Sequence, residues 1–307
     1  MASPILVARS QDVVSPVPVA FAALTLALIL LWAPRVSRSP SAGVWWIGPL
    51  VVALGAALAV GLLDARGLAV LALYAAACRL AGHTTSRFIA VIAPVVMLVV
   101  AAGLLLHIVP GFDNPLVLNG VILSPGSEPY TKYLNFDKGV AGLFLLGIYA
   151  DLPARDEGHR HAPAFLWRFV LMTVIVMTMS LAFGYVRWDP KLAPWWPLWM
   201  WSMVFLTALP EEAIFRGVTQ TGIARQLGGT PRAEAMAIVA VGSLFGLAHL
   251  AGGPLYVVLA AVAGIGYGWI YASTRSIGAA IIAHAALNTI HFLLFTYPAL
   301  SAPVAPP

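Results

Sequence analysis

Long apolar runs separated by short polar stretches dominate the chain. A membrane-spanning helix needs about 20 mostly apolar residues, and most of these runs approach or exceed that length. The pattern predicts an all-α polytopic membrane protein, a bundle of about 8–10 transmembrane helices. The ten candidate segments are residues 17–33, 44–63, 67–82, 88–109, 138–151, 164–186, 195–224, 233–251, 254–273 and 277–298. The third and fifth are short, which is why the prediction is a range.

Composition strengthens this prediction. The chain has 307 residues, of which 61% are hydrophobic and 9% are charged, with a mean hydropathy of +0.90, whereas a soluble domain carries about 25% charged residues. The net charge of +5 is spread over loops, which is typical of positive cytoplasmic loops and not of a nucleic-acid-binding surface. The single cysteine, Cys78, excludes an intramolecular disulfide and a cysteine-based zinc cluster. We expect an integral protein of a bacterial inner (cytoplasmic) membrane.

Polar residues inside the apolar runs are concentrated after residue 200, so we divide the chain into two units. Residues 1–162 are predicted to form a membrane scaffold of about five hydrophobic segments, beginning with a retained span and not a cleaved signal peptide. Within it, residues 110–137 are rich in Pro, Gly and Asn and predict an ordered, non-helical excursion. Residues 151–163 are charged and predict a solvated connection in preference to a His-rich metal site. Residues 163–307 are predicted to carry the chemistry.

The stretch "ALPEEAIFRG" at 208–217 places three charges within one apolar segment. An ionisable group inside a membrane helix costs about 2.5–3.5 kcal/mol on insertion scales, so these charges need a reason. Glu212 and Arg216 have the i,i+4 spacing in its favourable order and are predicted to form an ion pair. Adjacent residues point about 100° apart on a helix, so Glu211 is predicted to face elsewhere without a local cation and to suit a general base. The alternative is a charged helix end at the membrane interface.

Two further helices carry buried polar residues. His249 lies at the end of "SLFGLAH", where Ala-Gly-Gly-Pro stops the helix. His284, Asn288 and His291 lie at i, i+4 and i+7 in "HAALNTIH" and therefore share one helix face. A packed histidine and an interhelical hydrogen-bond seam are the non-catalytic alternatives. All of these alternatives would have to hold together for the region to be purely structural.

The three motifs "EEAIFR" (EExxxR), "FGLAH" (FxxxH) and "HAALN" (HxxxN), in this order, resemble the CPBP family of intramembrane proteases. That family includes the Rce1-like type II CAAX prenyl endopeptidases and bacterial bacteriocin-processing and immunity proteins. The resemblance covers about residues 195–298. It implies an intramembrane endopeptidase of the glutamate-dependent type that hydrolyses a peptide bond in a membrane-associated protein or peptide, including a C-terminal sorting or processing signal. It implies no nucleic-acid partner.

The resemblance also implies roles for the matching residues. Glu211 would activate the hydrolytic water with His249 as its partner, and His284 and Asn288 would stabilise the oxyanion. A separate set would support the site: Glu212 and Arg216 as an ion pair, and Phe245 as a packing residue. His291 lies outside the motifs, and we interpret it as structural.

Several alternatives remain beside this mechanism. No cofactor is expected, but Glu211, His249 and His284 are also a possible zinc ligand set, although H-E-x-x-H is absent. No G-x-S-x-G motif is present, which disfavours a serine nucleophile. A non-proteolytic transporter or an immunity scaffold could use the same buried polar residues.

Every one of these hypotheses meets the same geometric difficulty. In simple spans, Glu211 and His249 lie towards opposite sides of the bilayer. They meet only if the glutamate helix is long or broken at Pro210 and if a conical or hydrated cavity enters the bundle.

Overall fold

A computed structural model describes residues 16–33, 43–150 and 162–301. The predicted charged connection at 151–163 lies outside the described residues except for its last two positions. Within the described ranges the fold is all-α with one small two-stranded sheet, which confirms the predicted class.

Each predicted hydrophobic segment forms a helix. The scaffold helices are α1 (Pro16–Leu30), α2 (Ile47–Ala59), α3 (Ala65–His83), α4 (Arg87–Leu105) and α5 (Phe136–Phe144), the last continuing as a π-helical turn over Leu145–Tyr149. The C-terminal helices are α6 (Ala162–Ala182), α7 (residues 196–226), α8 (Pro231–Leu247), α9 (Pro254–Thr274) and α10 (Ile277–Leu294). In the described residues, α3, α4, α6, α9 and α10 are each long and apolar enough to cross a membrane, while α1 and α2 are shorter apolar helices. The range of 8–10 spans stays a prediction.

The excursion between α4 and α5 is ordered and non-helical, as predicted, but it also forms a β-hairpin that was not predicted. Strands β1 (Leu116–Val121) and β2 (Tyr130–Tyr133) pair antiparallel, with Leu116 opposite Tyr133. A further bridge joins Ser127 to Leu300 near the end of the described chain. The hairpin is therefore attached to the segment that follows α10.

Local sequence explains where several helices begin. Thr230 accepts a hydrogen bond from the Ala233 N–H at 3.1 Å, and Pro231 occupies the first turn of α8. Ser276 caps α10 in the same way, through the Ala279 N–H. These caps satisfy backbone donors that the first helical turn leaves unpaired.

Glycines allow α8 and α9 to pack closely. A Cβ atom at Gly246 would lie 2.5 Å from the Val257 carbonyl oxygen, and one at Gly242 would lie 2.7 Å from the Ile265 nitrogen. Small residues at helix contacts are how membrane helices bring their backbones together. This approach fixes the end of α8, just before His249, against the start of α9.

Two clusters of buried apolar side chains hold the bundle together. The larger cluster draws on α1 to α5 and also on α7 and α10. The smaller cluster lies among α6, α8, α9 and α10. The first cluster thus joins the scaffold helices to the helix that bears the glutamates, and the division of the chain at residue 162 stays a prediction.

Candidate active site

Helix α7 continues past Pro210. It runs as α-helix over Trp196–Met203, widens to π-helix over Val204–Ala208, passes through Leu209–Glu212, widens again over Ala213–Gln220 and ends with Thr221–Gln226. A proline inside an α-helix clashes with the preceding turn and removes a hydrogen bond, and a wider turn relieves both effects. The two glutamates therefore lie in mid-helix, and the alternative of a charged helix end is wrong.

Glu212 and Arg216 form the predicted ion pair. Arg216 Nη1 donates to Glu212 Oε1 at 3.1 Å, and both side chains are completely buried. Arg216 Nη2 also donates to the Gly264 carbonyl oxygen on α9 at 2.6 Å. His284 Nδ1 lies 2.8 Å from the same Glu212 oxygen. The pair thus links α7, α9 and α10, because Arg216 also donates to α9 and the Glu212 oxygen also receives His284 of α10.

Glu211 also has a cation, which the sequence did not predict. Lys138 Nζ on α5 donates to Glu211 Oε1 at 3.1 Å, and the two side chains are 14% and 9% exposed. The expectation that Glu211 has no partner cation was wrong because its partner is 73 positions away in the chain. The other oxygen, Oε2, is buried and has no hydrogen-bond partner among the described residues. One oxygen is thus anchored and the other is available for chemistry.

His249 is oriented by its own helix. Its Nδ1 lies 2.7 Å from the Phe245 carbonyl oxygen, so in the neutral ring Nδ1 carries the proton and Nε2 has the lone pair. The Phe245 ring contacts the His249 ring at 4.6 Å and the His284 ring at 5.7 Å between centroids. Phe245 also lies under the guanidinium of Arg216, at 4.9 Å from Cζ. It therefore packs between the residues of all three motifs, as expected.

The remaining polar residues of α10 have weaker or structural contacts. Asn288 Nδ2 donates to the sulfur of Met203 at 3.3 Å, and a thioether is a poor acceptor. Its amide donors can therefore be redirected at little cost. His291 Nε2 donates to the Thr296 carbonyl oxygen at 3.1 Å, just beyond the end of the helix. This contact agrees with a structural role for His291.

One large cavity is lined by residues of all three motifs. Its volume is about 1070 Å³, and Glu211, Phe245, His249, His284 and Asn288 all contribute to its lining. The cavity that was predicted in order to bring Glu211 and His249 together is therefore present. Residues of the β-hairpin line it as well: Glu128, Tyr130, Thr131, Lys132 and Tyr133. The hairpin therefore forms part of the cavity wall.

Sequence reasoning missed three residues beside Glu211 and the histidines. Tyr267 on α9 stacks on the His284 ring at 4.7 Å and 11°, and Tyr256 meets the His249 ring edge-on at 5.3 Å. Lys138 follows Asp137 at the start of a short apolar run, and nothing in the local sequence relates it to Glu211. The two tyrosines carry no local signal either, because aromatic residues are common throughout the chain.

The candidate zinc ligands are engaged by other groups. Glu211 binds Lys138, while His249 and His284 direct Nδ1 to Phe245 and Glu212. Over the described ranges, no three His, Cys, Asp or Glu side chains are grouped so as to hold a metal ion. The zinc version stays an alternative for experiment.

Together, these features define an integral membrane protein whose helices enclose a cavity lined by Glu211, His249, His284 and Asn288. Residues 193–290 match the family model of Rce1-like type II CAAX prenyl endopeptidases. The match covers less than half of the chain, includes all three motifs and agrees with the resemblance that they carry. No curated protein matches the chain, and no solved structure matches it. The family supports a CAAX-type intramembrane endopeptidase in general and a membrane-associated protein as its substrate.

Proposed function

We propose that the protein is a glutamate-dependent intramembrane endopeptidase in which Glu211 activates the hydrolytic water. The observation that carries this proposal is the asymmetry of the Glu211 carboxylate. Oε1 is bound by Lys138, whereas Oε2 is buried without a partner among the described residues. Glu212 Oε2 is also unpartnered, but of the two glutamates it is Glu211 that lines the cavity. A carboxylate in a cavity lining that is fixed by one oxygen and unpaired at the other is suited to accept a proton from a bound water.

Hydrolysis then proceeds in two steps. The water oxygen attacks the scissile carbonyl carbon while one water proton passes to Glu211 Oε2, giving a tetrahedral oxyanion. On collapse the C–N bond breaks, and the leaving nitrogen takes the proton from Glu211. The products are a carboxylic acid and an amine. His249, with its lone pair on Nε2, accepts a hydrogen bond from the water and aligns it.

The oxyanion is stabilised from α10. Asn288 turns its amide from the Met203 sulfur to the oxyanion and gains a far better acceptor. His284 directs Nδ1–H to Glu212, so it offers a second N–H only when Nε2 is protonated too. The hydrogen bond to Glu212 holds the His284 ring in place for this role.

The decisive test compares Glu211→Gln with Glu212→Gln, the same change at adjacent positions. Each variant and the wild type are expressed in bacterial membranes that lack the endogenous protein, and new protein termini are identified by mass spectrometry. We expect a set of wild-type-dependent termini that Glu211→Gln loses by about 10²–10⁴ in rate. For Glu212→Gln we expect mainly a lower yield of protein and a lower thermal stability. Wild-type termini that persist in Glu211→Gln, or no wild-type-dependent termini at all, would contradict the proposal.

Metal dependence is tested on the same cleavage with purified protein. We expect activity to survive dialysis against EDTA and 1,10-phenanthroline. Loss of activity that zinc restores would favour the zinc version with Glu211, His249 and His284 as ligands. Elemental analysis of the purified protein provides an independent measurement, since one zinc per chain would support the same conclusion.

A further inference from the structure

Lys138 holds the Glu211 carboxylate from outside the matched part of the chain. The family match begins at residue 193, whereas Lys138 lies on α5 in the predicted scaffold. We propose that Lys138 is a positioning residue for the reaction: it fixes Glu211 Oε1, keeps the carboxylate ionised and leaves Oε2 directed at the water. This inference rests on the proposed function, and it makes the scaffold a contributor to the active site.

The charge balance around Glu211 supports this assignment. A buried carboxylate without a cation is strongly disfavoured. Arg216, the nearest cation along the chain, is committed to Glu212 and to the Gly264 carbonyl. Lys138 therefore supplies the compensation that the helix itself cannot.

Lys138 in turn has Glu211 as its acidic partner among the described residues. The neighbouring Asp137 is buried, and its Oδ2 lies 2.7 Å from His107 Nδ1. Asp137 Oδ1 accepts from the backbone N–H of Lys138, so this carboxylate is occupied at both oxygens. The Lys138 ammonium is thus left for Glu211.

Two glycines bring α5 close enough for this contact. A Cβ atom at Gly142 would lie 2.8 Å from Pro210 Cα, immediately before Glu211. A Cβ atom at Gly139 would lie 2.8 Å from a Leu24 methyl group and 2.9 Å from a Leu206 methyl group. Gly142 is one helical turn after Lys138, so the close approach of α5 and α7 sets the reach of the lysine.

Other titratable groups also face Glu211, and a pH profile must be interpreted with them in view. They are Lys138 on α5, Lys132 on β2, Glu212 and Arg216 on α7, His249 after α8, Tyr256 and Tyr267 on α9, and His284 on α10. Lys132 lines the same cavity but makes no hydrogen bond or ion pair with Glu211 in the described residues. It is therefore the matched control for the loss of a lysine.

The test uses full-length protein with Lys138→Met, Lys138→Arg and, as the control, Lys132→Met. We expect Lys138→Met to lower kcat by about 10²-fold with little change in KM, since small displacements of a reacting group have effects of that size. The acidic limb of its pH–activity profile moves to higher pH, because the ionised Glu211 carboxylate has lost its cation. Lys138→Arg restores much of kcat, and Lys132→Met has a much smaller effect. Unchanged kcat and pH profile in Lys138→Met would overturn the proposal.

A measurement independent of activity separates this inference from the proposed function. Thermal unfolding is followed for Lys138→Met, Glu211→Gln and the double variant in one detergent. We expect the two single changes to be non-additive, because each removes the same contact. Additive changes in stability would overturn the proposed role of the Lys138–Glu211 contact. A wild-type protein that cleaves nothing would instead overturn the proposed protease function.

Discussion

The Glu212–Arg216 pair allows a quantitative prediction about stability. Replacing Arg216 by Met leaves Glu212 completely buried, with His284 as its remaining hydrogen-bond partner. It also removes the 2.6 Å bond to the Gly264 carbonyl. Removing one partner of a buried ion pair costs about 3–5 kcal/mol. At about 1.4 kcal/mol for each factor of ten, the ratio of unfolded to folded protein rises by roughly 10²–10³·⁵.

The assay is unfolding in mixed micelles with increasing SDS, followed by intrinsic fluorescence of the ten tryptophans. Arg275→Met is the matched control. Arg275 Nη2 contacts Glu234 Oε2 at 2.5 Å, but the arginine side chain is 69% exposed. An exposed pair of this kind contributes about 0–1 kcal/mol. We therefore expect a clear difference between the two arginine variants.

A double-mutant cycle completes the test. If the charges stabilise one another, Glu212→Gln with Arg216→Met costs less than the sum of the single changes, by about 0.5–3 kcal/mol. A stability of Arg216→Met that equals the wild type, or strict additivity in the cycle, would refute the argument. In either case the buried pair would not be holding α7 to its neighbours.

Three further predictions concern packing, chemistry and pH. Gly246→Ala lowers the melting temperature, because its Cβ would lie 2.5 Å from the Val257 carbonyl oxygen. Gly55→Ala, whose Cβ would have nothing within 4 Å, raises the melting temperature slightly. Equal effects of the two changes would contradict the packing argument. Asn288→Ala lowers kcat by about 10²–10³ with an unchanged melting temperature, and a wild-type kcat would exclude it as an oxyanion donor. Burial lowers the pKa of Lys132 from 10.5 to about 8, so the charged form is disfavoured in the fold and stability rises as pH increases through that window. We expect Lys132→Met to remove this rise. The same change in melting temperature between pH 7 and pH 10.5 in the wild type and in Lys132→Met would disprove the prediction.

Features that depend on neighbours along the chain were predictable from the sequence. The apolar runs determine the helices, because a long apolar segment in lipid has to satisfy its backbone hydrogen bonds internally. The ion pair between Glu212 and Arg216 follows from i,i+4 spacing, and it forms as expected. The shared face of His284 and Asn288 follows from the helical repeat, and both residues line the cavity.

Features that depend on contacts between distant segments were decided by the tertiary structure. Nothing in the local pattern relates Lys138 to Glu211, since the close packing that joins them depends on two glycines of α5 meeting α7. The same holds for the Tyr267 ring stacked on His284, and for the π-helical turns that carry α7 past Pro210. Sequence spacing determines which side chains share a helix face, but packing determines what that face meets. For this protein, the motif residues were readable in the chain, whereas the cation that anchors the central glutamate came only from the fold.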